Sequence, residues 1–506
     1  MLPGCAASEP LGANGDQGDT NATPATISTT QPEQVGQEDS GDWPRFGYDP
    51  ARSGVSLEKS PITPSTVNSL HRIWHTDLPG VADSSPILLH ALSFSDKTRD
   101  ALYVTTRDGQ LVALDAADGT VLWSRQPSAP ESTNPSPHAA SSITNSSPIA
   151  DPSRRYIYSY GLDGSLHKYA ATTGEEVKDS AWPVQITRMP ETEKESSALN
   201  IAGQRIYATT SGYFGDAPPY QGHLVSIDDS SGKEDVFNSL CADVTHLLAK
   251  DECQSDEAGI WARGGAAIDP STGEVFVTTG NGPYDVDSGG HDYGDSILKL
   301  NHDGSQLLDS YTPKTYQQLE DTDADLGSTA PALLPRIAES KTPLLLVQGG
   351  KDKELRLINR QDLSGAGGPG HIGGELQQID FAGCSTFTQP IVWIDNNNRV
   401  WVIVAGTCGI GAYQLVTDDA HTPSLKLVWQ TDDKTTTPVL ANGILFAAAN
   451  GAVLALDPST GRHLWSSTQE DAGGTIGGIH WESPIAIGGR LYVSDESGTI
   501  SAYGLK

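Results

Sequence analysis

The stretch that decides the fold is residues 102–123, which read LYVTTRDGQLVALDAADGTVLW. Asp-Gly pairs at 108–109 and 118–119 divide it into three short apolar runs, the last of which ends at Trp123. Asp and Gly tolerate the backbone angles of tight hairpin turns, and short apolar runs between such turns are typical of β-strands. The segment therefore predicts consecutive antiparallel strands.

Copies of this unit recur along the chain. The clearest one runs from Thr437-Pro438 to Trp465 and keeps the same order of apolar runs, turns and terminal tryptophan. The units begin near residues 86, 148, 198, 266, 331, 390, 438 and 484. A lone four-stranded sheet cannot bury both faces, so the units must stack, and radial stacking leaves only short, protected edges. We therefore predict an all-β fold, an eight-bladed β-propeller of four-stranded blades.

The two ends of the repeat array predict how the ring closes. The eighth unit stops at Lys506, before its fourth strand, whereas Leu70 to Trp74 form a tryptophan-ended strand just before the first unit. We expect this N-terminal strand to complete the last blade, because the alternative, an open solenoid, would leave terminal edges exposed. The predicted propeller comprises residues 42–506 as a single domain, preceded by a lipoprotein-like start and disordered tether at residues 1–41.

The amino-acid composition limits the kinds of molecule that this protein can bind. The 506 residues carry 64 Asp and Glu against 32 Lys and Arg, a formal charge of −32. Such a charge repels phosphate, which argues against nucleic-acid binding. Hydrophobic residues make up 37% of the chain, enough for a large core, and the 53 Gly and 32 Pro indicate many turns rather than long helices.

The first residues suggest an extracytoplasmic location. Met1-Leu2-Pro3-Gly4-Cys5 is similar to the end of a bacterial lipoprotein signal, in which the cysteine carries the lipid. Residues 6–41 are polar, without a periodic apolar face, as in a flexible tether. No run of 18 apolar residues occurs, so we expect no transmembrane helix. We predict a periplasmic or cell-surface protein anchored only by a lipid on Cys5; the alternative is an artificial start followed by a disordered terminus.

Cysteine usage fits an oxidising compartment. Four cysteines remain besides Cys5, and none forms a CxxC motif, which argues against zinc ribbons, thioredoxin-type chemistry and c-type haem. Four cysteines allow three pairings. We predict the sequence-local one, Cys241–Cys253 and Cys384–Cys408.

The units resemble the PQQ-type repeat of quinoprotein dehydrogenases. The entry segment Asp42-Trp43-Pro44-Arg45-Phe46-Gly47 also resembles the start of such proteins. The resemblance covers residues 42–506 and implies an eight-bladed propeller, with PQQ and Ca²⁺ as the expected cofactors. The outer-membrane-assembly lipoprotein of Gram-negative bacteria carries similar repeats and is a non-enzymatic scaffold, so the fold does not decide the function.

Two motifs of the fourth unit resemble the family's cofactor site. Trp261, in IWARGG at 260–265, matches the tryptophan on which the flat quinone stacks. Asn281, in TGNGPY at 279–284, matches the asparagine whose side-chain oxygen ligates Ca²⁺. The structural alternatives are a core tryptophan between blades and an ordinary Asn-Gly turn.

Two motifs of the next unit extend the resemblance. The acidic segment DTDADLGS at 321–328 is similar to the one that carries the family's general base beside the metal, and our alignment places Asp323 there with Asp325 as its neighbour. In a strand, these acids would share one face, where a cation or a raised pKa would relieve their repulsion. Lys351, in GGKDK at 349–353, matches the lysine that contacts the quinone carbonyls. A solvated acidic loop and a surface lysine are the alternatives.

The sequence also departs from the family pattern. The family's glutamate metal ligand has no counterpart in SGYFGDAPPYQG at 211–222, where Asp216 is the only candidate substitute. The adjacent-cysteine disulfide that often covers the quinone is absent, and the expected arginine near the first blade has no convincing match. Trp481, between His480 and Glu482, precedes the last inner strand, and we expect it to line the same mouth as Trp261; the alternative is packing between the last and first blades.

Two main functions therefore remain open. The first is a quinoprotein-like oxidoreductase for the PQQ- and Ca²⁺-dependent dehydrogenation of an alcohol or polyol. The second is a non-catalytic propeller that binds an envelope protein or a polymer at its rim, which the lipoprotein-like start and the missing glutamate favour. A hydrolase or another chemistry in the axial mouth is a third, more distant alternative.

Overall fold

The computed structural model describes residues 23–25, 40–127, 143–213 and 218–506. Within these residues the chain forms eight sheets whose main strands pair antiparallel, and these sheets are the blades of an all-β, eight-bladed propeller. The blades begin where the repeat predicts, since the first strand of each one starts one or two residues after its anchor in the sequence.

The first four blades consist of four main strands each. Blade 1 comprises Ile87–Ser93, Thr98–Thr105, Leu111–Asp115 and Val121–Arg125. Blade 2 comprises Ile149–Ala150, Tyr156–Gly161, Ser165–Ala170 and Val184–Gln185. Blade 3 comprises Asn200–Ala202, Arg205–Gly212, His223–Asp228 and Glu234–Asn238, with Glu193–Glu195 as an additional strand. Blade 4 comprises Ala267–Ile268, Val275–Thr278, Ile297–Leu300 and Leu307–Tyr311.

The other four blades follow the same plan, and two of them gain a short strand from the N-terminal region. Blade 5 comprises Ala332–Leu333, Leu345–Gln348, Glu354–Asn359 and Gln377–Asp380. Blade 6 comprises Ile391–Ile394, Val400–Gly406, Gly409–Thr417 and Pro423–Thr431, joined by Thr23–Pro24. Blade 7 comprises Val439–Ala441, Ile444–Ala449, Ala452–Leu456 and His463–Ser466, joined by Val55–Ser56. Blade 8 comprises Ile485–Ile487, Arg490–Asp495, Thr499–Leu505 and the N-terminal Leu70–Asp77.

Helical structure is confined to short connections. The described helices are the α-helix Tyr316–Thr322 and the 3₁₀ turns Val67–Ser69, Val286–Ser288 and Leu326–Ser328. No helix in the described ranges has the length and apolar character needed to span a bilayer.

The N-terminal strand supplies the outer strand of blade 8. Leu70 pairs with Leu505 and Asp77 with Thr499, antiparallel, so the two ends of the propeller sequence meet in one sheet. The indole of Trp465 in blade 7 donates a 3.0 Å hydrogen bond to the carbonyl of Leu70, which also ties this strand to the preceding blade.

The tryptophan that ends the repeat unit joins one blade to the next. Trp123 of blade 1 donates a 3.1 Å hydrogen bond to the carbonyl of Ala171 in blade 2. Its ring lies against Gly174, where a Cβ atom would come within 2.6 Å of the indole and where φ is +66°. The glycine of the repeat is thus required both for the turn and for the close approach of the ring. The same indole-to-carbonyl bond is made by Trp74, Trp182, Trp429 and Trp465.

Residues 43–56 cross the ring before blade 1 begins. Their main chain bonds to the first strands of blades 1, 2, 4, 6 and 7, through Trp43–Leu88, Pro44–Ala150, Pro50–Ile268, Ser53–Val392 and Gly54–Leu440. The side chains of Trp43 and Phe46 are fully buried beneath the blades. The entry segment thus ties together blades that are distant around the ring.

Both predicted disulfides, Cys241–Cys253 and Cys384–Cys408, are present in the structure. Cys5, the predicted lipidation site, lies outside the described residues.

Candidate functional site

An aromatic cluster lies at one end of the ring axis. Trp261, Phe387 and Trp481 belong to the connections that enter blades 4, 6 and 8, each a few residues before a first strand. The centroid of the Trp261 ring lies 6.3 Å from the centroid of the Phe387 ring and 6.3 Å from that of the Trp481 ring. The Phe387 and Trp481 centroids are 6.4 Å apart. Because first strands are innermost in a propeller, residues that precede them converge although they are far apart in sequence. We call this aromatic-lined end of the axis the mouth.

Arg263 separates the mouth from the entry segment. Its guanidinium reaches from blade 4 to the carbonyl of Trp481 (3.0 Å) and to blade 2, where it bonds to the carbonyl of Asn145 (2.7 Å) and the hydroxyl of Ser147 (2.5 Å). It also lies 4.9 Å from the ring centroid of Phe46. Burial lowers the pKa of Arg263 to about 10, so the side chain remains charged at neutral pH. Arg263 thus links the connections that enter blades 2, 4 and 8 to the buried Phe46 of the entry segment.

Asp325 connects three of the predicted site residues. Its Oδ1 atom accepts hydrogen bonds from Trp261 Nε1 (3.2 Å) and from the main-chain N–H of Asn281 (2.8 Å), while its Oδ2 atom forms an ion pair with Lys351. The side chain is buried, with 5% of the residue exposed. A buried carboxylate with three donors is held in one orientation and in turn fixes the groups that bond to it.

The acidic segment is not a strand, and the expectation that its acids share one face is wrong. Residues Tyr316–Thr322 form a helix that buries Leu319, and the helix ends at Asp323, whose φ of 51° is left-handed. A left-handed residue reverses the chain direction, so the acids that follow one another in sequence point to different surroundings. The side chain of Asp323 is 78% exposed, whereas that of Asp325 is 7% exposed.

Lys351 lies between these two acids. Its Nζ atom is 2.7 Å from Asp323 Oδ1, is paired with Asp325 Oδ2, and lies 5.3 Å from the centroid of the Trp261 ring. Burial alone would lower the pKa of Lys351, but the charges of Asp325 and Asp323 outweigh it and raise the pKa. The structure thus places a permanent positive charge beside the indole face.

Asn281 carries an unsatisfied oxygen. Its Nδ2 atom donates to the carbonyl of Leu319 (2.8 Å), but its buried Oδ1 atom has no hydrogen-bond partner among the residues that the structure describes. Asp295 lies on the amide side, 3.4 Å from Nδ2, and burial raises its pKa well above the usual range. An orphaned amide oxygen on a residue whose main-chain N–H bonds to the carboxylate of Asp325 fits a hard cation such as Ca²⁺, which takes neutral and charged oxygen ligands.

A cavity of about 490 Å³ adjoins Lys351, Asp323 and Phe387. Leu319 and Ser385 also contribute to its wall. The exposed carboxylate of Asp323 therefore faces a space of the size in which small molecules bind.

The blade 1 side of the mouth contains charged residues that the sequence analysis did not identify. Asp83, which is 1% exposed, lies 2.9 Å from His480 Nδ1 and accepts a 3.1 Å hydrogen bond from the N–H of Trp481. Arg107 pairs with Asp83 at 3.2 Å and also with Glu496. Asp83 lies three residues before the proline that starts its unit and Glu482 lies two residues before Pro484, so an acid just ahead of the first strand is the signal that could have revealed Asp83.

Burial and the nearby charge of Asp83 raise the pKa of Glu482 to about 8. Its Oε2 atom accepts a 2.6 Å hydrogen bond from the N–H of His480, and its Oε1 atom has no partner in the described parts of the chain. The carboxyl group is thus largely protonated at neutral pH.

Two buried glutamates flank the segment in which the family's glutamate was sought. Glu193 and Glu195 lie on the additional strand of blade 3, where Glu193 pairs with Gly212 and Glu195 with Thr210. Glu193 accepts a 2.8 Å hydrogen bond from the N–H of Gln221, and burial raises the pKa of Glu195 well above its usual range. Both glutamates precede residues 211–222 in sequence, and the pairing of their strand with Arg205–Gly212 brings them next to that segment. Asp216 lies outside the described residues.

Comparison with known proteins identifies the family. The family profile described as glucose/ethanol/alcohol dehydrogenase, β-propeller domain, matches residues 43–361. The chain belongs to this family of PQQ-type propellers. A second profile, outer membrane protein assembly factor BamB, matches residues 418–506. No curated protein matches the sequence significantly.

Solved structures show the same fold at low identity. The quinohemoprotein alcohol dehydrogenase from Pseudomonas putida is 15% identical, with a TM-score of 0.65 over 95% of this chain and 82% of that one. The quinohemoprotein alcohol dehydrogenase from Comamonas testosteroni is also 15% identical, with a TM-score of 0.61 over 92% and 81%. BamB from Moraxella catarrhalis is 13% identical, with a TM-score of 0.50 over 86% and 99%. These likenesses extend to the fold alone.

Proposed function

We propose that the protein is a quinoprotein-like oxidoreductase that oxidises an alcohol or polyol with PQQ and Ca²⁺ at the mouth. The observation that carries this proposal is the convergence of Trp261, Asn281, Asp323, Asp325 and Lys351, which come from two blades and are joined by hydrogen bonds and ion pairs beside the Trp261 ring. The family match over residues 43–361 supports it.

The residues present suit these cofactors. The half-buried indole of Trp261 offers a flat apolar surface for a planar ring system. The orphaned Oδ1 of Asn281 and the carboxylate of Asp325 would contribute oxygen ligands to Ca²⁺. When bound, PQQ supplies the two-electron acceptor and Ca²⁺ the Lewis acidity that the chain itself lacks.

The two aspartates have different roles in this proposal. Asp323 is the general base, because its exposed carboxylate faces the cavity and can accept the hydroxyl proton of a substrate. Asp325 is already bonded to Trp261, Asn281 and Lys351, so it orients the site. The ammonium of Lys351 stabilises negative charge that develops nearby.

A binding experiment tests the proposal directly. Wild-type protein is titrated with PQQ in the presence of Ca²⁺ while absorbance and tryptophan fluorescence are recorded, followed by a dye-linked assay with alcohols and polyols. We expect a saturable change that is lost in Trp261→Ala and retained in Trp393→Ala, a half-buried tryptophan of blade 6. The absence of any saturable change in wild type would contradict the proposal.

The second candidate is a non-catalytic scaffold that binds an envelope protein or a polymer. The match of residues 418–506 to the BamB profile favours it. If the protein binds no PQQ but does bind a defined envelope protein, the scaffold function would be supported over the oxidoreductase function.

We also propose an extracytoplasmic location with a lipid on Cys5. The two disulfides and the family's PQQ-type repeat support the compartment. Metabolic labelling with a lipid precursor tests the anchor, because label that persists in Cys5→Ala would exclude that residue.

A further inference from the structure

The Cys384–Cys408 disulfide lies beside the mouth. Cys384 is in the connection that leads into blade 6, and Cys408 is in the turn between its second and third strands, with the two Cα atoms 5.6 Å apart. Cys384 is buried and Cys408 is half-buried. Residues 385–387, which follow Cys384 directly, are called the site loop below.

The site loop holds the main chain at Lys351. The hydroxyl of Ser385 donates a 2.7 Å hydrogen bond to the carbonyl of Lys351. The N–H of Thr386 donates a 3.0 Å hydrogen bond to the carbonyl of Gly350, and the Thr386 hydroxyl bonds to the same oxygen at 3.2 Å. These bonds fix the backbone from which the Lys351 ammonium reaches both aspartates.

The same loop ends in an aromatic ring of the mouth. Phe387 lies next to Thr386, and its ring packs against Trp261 and Trp481. Within three residues of Cys384 the loop therefore contacts both the main chain at Lys351 and the aromatic wall of the candidate site. A short cross-linked loop is pre-organised, which lowers the entropy lost when a ligand binds to the groups that it carries.

We propose that Cys384, Cys408 and Ser385 are positioning residues, which hold Lys351 and Phe387 in the geometry that binds the cofactor. This inference deepens the proposed function and rests on it for the identity of the ligand. The disulfide has no contact role with the ligand; it acts through the site loop.

The second disulfide offers a matched control. Cys241 and Cys253 follow the last strand of blade 3, and the N–H of Cys241 bonds to Asp292 at 2.8 Å rather than to a residue of the mouth. Both disulfides close short loops, with sequence separations of 12 and 24 residues. Loss of either one should lower the thermal stability, because each restricts the unfolded chain.

The test compares the double variants Cys384→Ser/Cys408→Ser and Cys241→Ser/Cys253→Ser with wild type. PQQ is titrated in the presence of Ca²⁺, and the dissociation constant is measured by fluorescence. We expect the first variant to bind at least about 10-fold more weakly and the control to stay within about 2-fold, because only the first loses pre-organisation at the mouth. Equal affinities in the two double variants would overturn the inference.

A readout without ligand separates this inference from the proposed function. Acrylamide quenching of each protein is compared with that of its Trp261→Phe derivative, so that the difference reports on Trp261. We expect greater accessibility of Trp261 in Cys384→Ser/Cys408→Ser and no change in the control. If wild type fails to bind PQQ, the proposed function fails, but the quenching difference still confirms or overturns the positioning role.

If the Cys384→Ser/Cys408→Ser variant does not fold, Ser385→Ala tests the positioning role of the site loop instead. It keeps both disulfides and removes only the hydrogen bond to the Lys351 carbonyl. We expect a weaker PQQ complex, by about 3-fold or more, the scale of one hydrogen bond. Unchanged PQQ affinity together with unchanged Trp261 quenching would overturn the inference.

Discussion

The indole N–H of Trp261 donates a 3.2 Å hydrogen bond to the buried carboxylate of Asp325, and this bond joins the aromatic surface of blade 4 to the acidic segment of blade 5. Through the other oxygen of Asp325 the link continues to Lys351. The four side chains Trp261, Asp325, Asp323 and Lys351 thus form one connected unit, in which each substitution has a distinct expected effect.

The first prediction separates the two aspartates. Asp323→Asn removes an exposed proton acceptor whose carboxylate pairs with Lys351, so it should leave PQQ binding nearly unchanged and reduce dye-linked turnover by at least about 10²-fold. Asp325→Asn removes the charge that orients Trp261, Asn281 and Lys351, so it should weaken PQQ binding as well. Titrations and turnover numbers for the two variants provide the comparison. Equal turnover in wild type and both variants would remove the acidic segment from the mechanism.

The second prediction concerns the metal. Asn281→Ala deletes the orphaned amide oxygen, so the Ca²⁺ concentration that restores half-maximal PQQ binding should rise by about 10-fold, since one neutral ligand among several is lost. Asn301→Ala is the control, because the Oδ1 of Asn301 already accepts a hydrogen bond from the N–H of Ser305 in the turn between the third and fourth strands of blade 4. Titration of chelator-treated protein with Ca²⁺ gives both values. The same Ca²⁺ requirement in the two variants would argue against a ligand role for Asn281.

The third prediction uses the pKa of Glu482, which is raised from 4.5 to about 8 in the folded protein. Between these values the folded state binds a proton that the unfolded state has released, so the free energy of unfolding falls as the pH rises. The loss is at most about 1.4 kcal/mol per pH unit. Relative to wild type, Glu482→Gln should therefore gain stability progressively from about pH 5 to pH 8.

Urea unfolding at several pH values measures this difference. Glu470→Gln, at an exposed position, serves as the control and should follow wild type throughout. Parallel stability curves for wild type and Glu482→Gln would show that the Glu482 carboxyl titrates alike in the folded and unfolded states.

The fourth prediction tests the contact between blade 7 and the N-terminal strand. Trp465→Phe removes the 3.0 Å hydrogen bond to the Leu70 carbonyl and leaves a buried acceptor unpaired, which should cost about 1–3 kcal/mol of unfolding free energy. Trp393→Phe, at a half-buried position on blade 6, should cost less than about 1 kcal/mol. Equilibrium unfolding in urea measures the loss of unfolding free energy in each variant. Equal losses in Trp465→Phe and Trp393→Phe would mean that the hydrogen bond contributes little.

The repeat made the architecture predictable. The clearest units combine a turn glycine with a terminal tryptophan, as in Gly119 and Trp123, and five blades have such a tryptophan, whose indole bonds to a main-chain carbonyl. Gly119 accommodates a positive φ beside Trp74, while Trp123 packs on the following blade. Local turn chemistry and the need to bury sheet faces were therefore sufficient to predict the number of blades and their order.

Sequence motifs also singled out Trp261, Asn281, Asp325 and Lys351, which the structure brings together, but they misjudged the acidic segment. The alternation of acids suggested a strand, whereas Leu319 anchors a helix that ends in the left-handed Asp323. Burial of one leucine outweighed the alternating pattern, because tertiary packing overrides weak local preference.

The sequence by itself predicted the blade count and the disulfide pairing from local spacing and repetition, and its resemblance to the quinoprotein family indicated the candidate site residues. Only the tertiary structure decided which residues share the mouth. Asp83 and Trp481 are 398 positions apart and are in direct contact, and Arg263 crosses the ring to the Trp481 carbonyl. A ring brings the entry of every blade to one axis, so the contacts around that axis depend on closure of the whole molecule rather than on any segment of it.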